Sequence, residues 1–425
     1  MMKQSIFILF AVLLATNVAQ AQNPQSVRGV QCGVEREVSA QALTESTYKR
    51  LERAYELIGE ENYAEAYPQL ESILERVRRS DYEQAVVSQA MGHVRLMQDR
   101  GSDALEHFQR AVELDVMGNA QHFEMILMIS NIYYGMDRFQ DALDQLDFWF
   151  CVIPPDQTNI VDVWIMKASL HAQIDEFREA LTAVDRGISL SDEPKEQWYQ
   201  LKLGMHLELD QTRPAIDTLK ILIPMSPDKK NYWLQMSALY MKLEDEPEAM
   251  AALALAHRRG LLNRQTELMQ LSSLLQSQDS PRLAAEIMEE GIEADVIEST
   301  RRNWEMVGGA WYEARELDKA LNAYERAGAV ADDGKIDVQR GFLLIDLERW
   351  EPARGALTRA LELGGLSEAD TGNVHLLLGM AHMNLDDYEA AQASFNRATS
   401  YSRVRQAARE WLNHLREQRS RSSSR

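Results

Sequence analysis

Apolar residues recur along most of this chain at the i, i+3, i+4, i+7 spacing of one helix face, in paired segments separated by short polar turns. One pattern runs through the pairs. The first segment carries an apolar residue followed by a small one; the second carries Ala, an apolar residue four later and a small residue three after that. It reads Leu378-Gly379, Tyr388, Ala391, Phe395, Ala398 near the C-terminus, and Trp304, Val307-Gly308, Trp311, Ala320, Tyr324, Ala327 further in. Met91-Gly92, Ala104, Phe108, Ala111 is an early copy. With the second-segment Ala as anchor, the copies fall at Ala66, Ala104, Ala142, Ala180, Ala215, Ala249, Ala284, Ala320, Ala353 and Ala391, at spacings of 33 to 38 residues. A repeat of that length predicts helix hairpins, each leaving apolar surface that only a neighbouring hairpin can cover.

Punctuation agrees with this reading. Pro214, Pro247, Pro281 and Pro352 lie one to three residues before an anchor Ala, in the first turn of the second helix, where a missing N–H costs nothing. Pro154 and Pro227 follow the ends of second helices. A small residue eight positions into the first helix, opposite the anchor Ala, lets the two backbones approach closely, and Trp164, Trp233 and Trp304 fill the gaps between neighbours. Two copies depart: Arg50 and Arg53 occupy expected core positions in the first, and the fifth is out of step by one around Gly204. After the last copy, residues 402–418 read as a capping helix with Val404, Ala407, Ala408, Trp411 and Leu415 on one stripe, and residues 419–425 (RSRSSSR) as a disordered basic tail.

These motifs resemble the tetratricopeptide repeat family over roughly residues 46–401. The resemblance implies an all-α, right-handed superhelical solenoid of about ten repeats closed by a C-terminal capping helix. It also implies that the first helix of each repeat lines a groove. The positions it assigns to the groove carry Leu127, Asn131, Tyr134, Ile165, Met241, Met269, Tyr312, Phe342, Met380 and Met383. Flexible thioethers and aromatics suit an apolar peptide or helix; a register error of one residue would turn several of them into core between repeats. Asn131 and Lys242 stand alone rather than in the Lys/Arg/Asn cluster with which family members grip a C-terminal carboxylate.

The N-terminus has a different pattern. Lys3 precedes an unbroken apolar run, Ile6 to Ala15, and Ala19-Gln20-Ala21 forms a small-residue cleavage signal, so residues 1–21 read as a signal peptide cleaved after Ala21. Ten apolar residues span about half of a bilayer core, so no integral membrane insertion is expected. The mature chain, opening with residues 22–45, is then expected in the periplasm. There the two cysteines, Cys32 and Cys151, could form a disulfide or remain two unpaired thiols.

Composition narrows the partner class. With 66 Asp and Glu against 45 Lys and Arg, the formal charge is −21; a field of that sign repels phosphate backbones and excludes nucleic acid as a partner for the body of the chain. It favours a basic protein segment, or serves solubility alone. No HExxH, zinc-spaced Cys/His set, GxxxxGK[ST] or GxSxG occurs. His375 and His382, seven apart on one helix face, read as core packing. Gly308-Gly309 falls inside a helix, Gly364-Gly365 reads as a helix C-cap and turn, and Asp386-Asp387 as the start of a second helix. No catalytic residue, metal site or cofactor is expected.

A narrower resemblance rests on Thr47-Tyr48-Lys49-Arg50-Leu51, Glu193-Pro194-Lys195-Glu196-Gln197-Trp198-Tyr199-Gln200-Leu201 and Pro227-Asp228-Lys229-Lys230-Asn231-Tyr232-Trp233. Gly260-Leu261-Leu262, Asp332-Asp333-Gly334 and Gly364-Gly365-Leu366 complete it. In this order they resemble exported tetratricopeptide proteins that accompany ExbB–ExbD–TonB energy-transducing systems. The resemblance implies a non-enzymatic accessory of outer-membrane transport, with a basic segment of TonB or an ExbD-type component as partner. A scaffold for outer-membrane protein insertion or polysaccharide export is the alternative. A solute-binding protein or enzyme would need a convergent polar pocket that the sequence does not display.

Overall fold

The structure, a computed structural model, describes residues 36–422. The segment read as a signal peptide, Cys32 and most of residues 22–45 lie outside the described residues. Among those described, every regular element is helical: twenty-one α-helices and one 3-10 turn, Pro155–Gln157. They fall into two compact units, divided after Gln211.

The first unit holds α1 (Glu45–Gly59), α2 (Tyr63–Arg76), α3 (Asp81–Met97), α4 (Gly101–Leu114), α5 (Asn119–Gly135), α6 (Phe139–Val152), α7 (Val161–Gln173), α8 (Phe177–Ser189) and α9 (Glu196–Glu208). The second holds α10 (Thr212–Met225), α11 (Lys230–Lys242), α12 (Glu246–Arg258), α13 (Gln265–Ser277), α14 (Pro281–Glu293) and α15 (Arg301–Glu313). It continues with α16 (Leu317–Ala329), α17 (Lys335–Asp346), α18 (Trp350–Leu363), α19 (Glu368–Asn384), α20 (Tyr388–Ala398) and α21 (Arg405–Ser422). Within each unit every helix packs on its successor, as in a tetratricopeptide solenoid. First helices also meet one another, α1 with α3, α7 with α9 and α17 with α19.

The packing explains the repeat. All ten anchor alanines are fully buried. Opposite them, twelve residues earlier, stand Ala54, Gly92, Ser130, Ala168, Ser237, Ser272, Gly308, Gly341 and Gly379. At two of the three serines the hydroxyl donates to the anchor's carbonyl, Ser130 Oγ to Ala142 O at 2.6 Å and Ser272 Oγ to Ala284 O at 3.1 Å, whereas Ser237 Oγ makes no such bond. Where it is glycine, an aromatic or leucine side chain occupies the space. A Cβ on Gly379 would lie 2.3 Å from the Phe395 ring, and one on Gly308 2.6 Å from Tyr324. In the fifth copy this position is Leu203, with Gly204 one step beyond, which accounts for the broken register there.

The first copy corrects an expectation. Arg50 and Arg53 are exposed, and α1 buries Thr47, Leu51 and Ala54 instead, one position later. The charged residues therefore never enter the core.

Each hairpin turn uses the same backbone device. Five residues before every anchor Ala the chain takes a left-handed conformation: Glu61, Asp99, Asp137, Asp175, Asp210, Glu244, Asp279, Arg315, Glu348 and Asp386. The next residue donates its N–H to a first-helix carbonyl five residues back, as Arg138 does to Tyr133 O and Asp387 to His382 O, both at 2.9 Å. This satisfies a terminal carbonyl and stops the helix. Gly364, at φ +68°, caps α18 as its position predicts.

Helix α21 closes the second unit. Val404, Ala408, Leu412 and Leu415 are buried, and Trp411 stacks on Phe395 with centroids 5.9 Å apart and planes at 9°. The helix runs to Ser422, so helical backbone reaches into the segment expected to be a disordered tail. At the other end, Arg36 pins the chain preceding α1: its guanidinium pairs with Asp115 at 2.5 Å and donates to Met117 O at 2.6 Å and Asn119 Oδ1 at 2.9 Å. None of the described helices is long and apolar enough to cross a membrane.

Candidate functional site

The second unit carries a cleft of about 610 Å³ built by first helices with a second helix as its floor. Tyr312 from α15 and Phe342 from α17 stand at its mouth, 45% and 46% exposed. Their exposure follows from position, since each lies on the helix face turned away from the hairpin partner. The floor is apolar: Tyr324 of α16, Leu343 and Ile345 of α17, and Leu377 of α19. Tyr324 reaches this place because Gly308 leaves room for its ring.

The polar groups of the cleft are acidic or amide. Asp346 and Gln339 line it, and Gln339 Nε2 donates to Glu305 Oε1 at 3.1 Å. Glu313 follows Tyr312 at the exposed end of α15. Burial pushes the Tyr324 phenol above its ordinary range, and Glu305, Tyr312 and Glu313 push it further in the same direction. The phenol stays neutral at physiological pH, and the cleft presents aromatic faces within a field of negative charge.

Of the ten groove residues expected from sequence, the cleft brings together two, Tyr312 and Phe342. A smaller cavity of about 390 Å³ in the first unit takes Asn131, with Leu96, Asp99, Met128, Ile132 and Met136 around it. There Asn131 Nδ2 donates to Leu127 O at 3.1 Å. Tyr134 is exposed and packs edge-on against Phe139 at 5.6 Å. Met241 is exposed and Met269 half-buried, each apart from both cavities.

Four of the ten turn inward. Met383 is core, packed with Phe395 and Leu412; Met380 is half-buried against the same cluster. Leu127 packs against the core of the first unit, and Ile165 fills the space opposite Gly187. A first helix presents only a narrow open stripe, and these side chains lie on its flanks. The cleft is also lined by Tyr324, Gln339, Leu343, Ile345, Asp346 and Leu377, which are not among the expected groove positions. For Tyr324 the signal was present, since the Gly308 pairing places a large ring directly beneath the groove.

His375 lies against Tyr401 at 5.9 Å between ring centroids, whereas His382 faces Asp387 at 3.5 Å. Burial lowers the pKa of both. The two rings therefore serve different contacts. No group of three or more His, Cys, Asp or Glu among the described residues is placed to hold a metal. Cys151 is not a free thiol; Cys32, the other member of the expected pair, lies outside the described residues.

Comparison with known proteins bears on the repeat. Residues 373–404, which cover most of the tenth hairpin, match the tetratricopeptide repeat family. No match was found among curated proteins. Among solved structures, the chain is similar to a tetratricopeptide repeat protein from Parabacteroides merdae, at 11% identity over 68% of this chain and 94% of that one, with a TM-score of 0.38. It is also similar to MamA, at 16% identity over 40% of this chain and 98% of that one, with a TM-score of 0.33. Similarity to the Cut9–Hcn1 hetero-tetramer of the APC/C extends over 88% of this chain and 97% of that one, at 12% identity and a TM-score of 0.28.

Proposed function

We propose that this chain is a non-enzymatic protein–protein interaction scaffold of the periplasm, an accessory of a TonB-type energy-transducing system. The observation that carries the scaffold reading is the cleft of the second unit: two large aromatic residues stay exposed on a face that the hairpin packing leaves open, over an apolar floor. Exposed aromatics over apolar pockets are the usual anchors of a protein interface. The lining residues, Tyr312, Tyr324, Gln339, Phe342, Leu343, Ile345, Asp346 and Leu377, suit a contact surface.

Export is supported by the Lys3, Ile6–Ala15 and Ala19-Gln20-Ala21 pattern, and the TonB assignment by the sequence resemblance set out above. The Lys/Pro-rich spacer typical of TonB would suit the charge of this chain. A photo-reactive residue at Tyr312, with a second at Leu283 on α14 as control, tests the reading in cells. The expected result is an adduct with TonB or an ExbD-type protein from position 312 alone. An adduct with an outer-membrane insertion or polysaccharide-export component would reassign the scaffold to that assembly. No adduct from 312 would remove the cleft from the account.

A further inference from the structure

We infer that the second-unit cleft selects a docked segment by a lysine or arginine side chain, taken between the rings of Tyr312 and Phe342 with carboxylates around it. This rests on the reading above that the cleft holds a protein segment, and adds the chemistry it recognises.

Three observations carry it. The mouth offers two exposed aromatic faces, the surfaces to which ammonium and guanidinium groups are drawn. The surrounding acids, Glu305, Glu313 and Asp346, have no ion-pair partner among the described residues. Acids on nearby elements are engaged: Glu316 with Arg282 at 2.6 Å, Asp318 with Arg349 at 2.7 Å, Glu325 with Arg340 at 3.2 Å and Asp333 with Arg301 at 3.1 Å. Finally, two of the local cations are committed elsewhere. Arg340 is held by Glu325, and Lys319 lies 4.0 Å over the Trp311 ring. Arg302, exposed one turn before Glu305, and Arg315, exposed three residues after Tyr312, carry no ion pair among the described residues and are the cations with which a docked basic side chain competes. A cleft with aromatic walls, an apolar floor and carboxylates outside any ion pair is complementary to a segment alternating basic and apolar residues. The first-unit cavity is lined by Asp99, Met128 and Met136 and has no aromatic ring in its lining, so it lacks this pairing of ring and charge.

The test uses the full mature chain and two fluorescent peptides, one alternating Leu with Lys, the other with Gln in place of Lys. The Lys peptide is expected to bind about tenfold more tightly and to weaken as salt is raised. Glu313→Gln combined with Asp346→Asn is expected to weaken the Lys peptide about three- to tenfold and to leave the Gln peptide unchanged. Phe342→Ala should weaken both. Glu290→Gln with Glu362→Gln, on α14 and α18, makes the same change in net charge away from the cleft and should alter neither.

Equal binding of the two peptides overturns the selectivity while leaving the cleft reading intact. If the two acid pairs have the same effect, the probe is reading overall charge and the inference falls. If neither peptide binds wild type, the inference fails as well; crosslinking at Tyr312 then decides separately whether the cleft binds a protein at all.

Discussion

A methyl group added to Gly379 would lie 2.3 Å from the Phe395 ring, so Gly379→Ala forces the two helices of the tenth hairpin apart. The substitution gains about 1 kcal/mol of helix propensity but costs about 1–3 kcal/mol in overpacking. A net loss is expected as a lowered urea midpoint. His122 makes a second prediction. It is fully buried with neither ring nitrogen hydrogen-bonded, and burial, followed by the Arg36 charge, lowers its pKa to about 3. Asp115, 3.9 Å away, is already taken by Arg36. The unfolded chain takes up a proton below about pH 6.5, while the folded ring stays neutral down to about pH 3. The unfolded state thus binds more protons across this window, and stability falls as pH is lowered through it. His122→Gln should flatten the dependence, removing about 2 kcal/mol of the loss between about pH 7 and pH 4.5; urea titrations at both pH values read it. At this scale the sequence was legible where a small residue faces the anchor Ala. It was not legible where one position decides between core and surface, as for Met383, because helix periodicity fixes a stripe's direction only to within a residue.

The hairpin is the element that repeats, and its turn supplies a signal that apolar spacing does not. Nine of the ten left-handed turn residues are Asp or Glu, and each stands five residues before an anchor Ala. The short polar side chain of Asp tolerates this conformation, while a β-branched residue does not. Asp137, at φ 56°, separates turn geometry from side-chain chemistry. Asp137→Gly should leave stability unchanged or slightly raised, and Asp137→Val should cost about 1–2 kcal/mol, both read by thermal unfolding. The repeat count was legible because ten anchors survive; the first helix was misread because its arginines were set against an average register rather than against Thr47, Leu51 and Ala54. The capping helix makes a further prediction. Truncation after Ser402 removes Trp411, Leu412 and Leu415 from Phe395 and its neighbours. Amide exchange in α19 and α20 should then accelerate well before that of α15 and α16, since a terminal repeat without its cap leaves apolar surface bare.

For the molecule as a whole, the sequence conveyed the architecture and much less of the site. The helical hairpins, their number and the cap follow from spacing, because core packing must repeat at every interface. The cleft does not, because it forms where Tyr312, Phe342, Asp346 and Leu377 converge from three first helices over Tyr324. That convergence depends on how successive hairpins rotate, a property no single repeat encodes. The charge of −21 suits the proposed basic partner, and in that proposal the exposed rings of α15 and α17 supply the contact. The central claim is that a protein partner docks in this cleft. It is tested most directly by the affinity of the captured partner for wild type, Tyr312→Glu and Leu283→Glu, with each fold checked by circular dichroism. The account predicts a loss of about tenfold or more for Tyr312→Glu and no change for Leu283→Glu. Unchanged affinity in a folded Tyr312→Glu protein would contradict it.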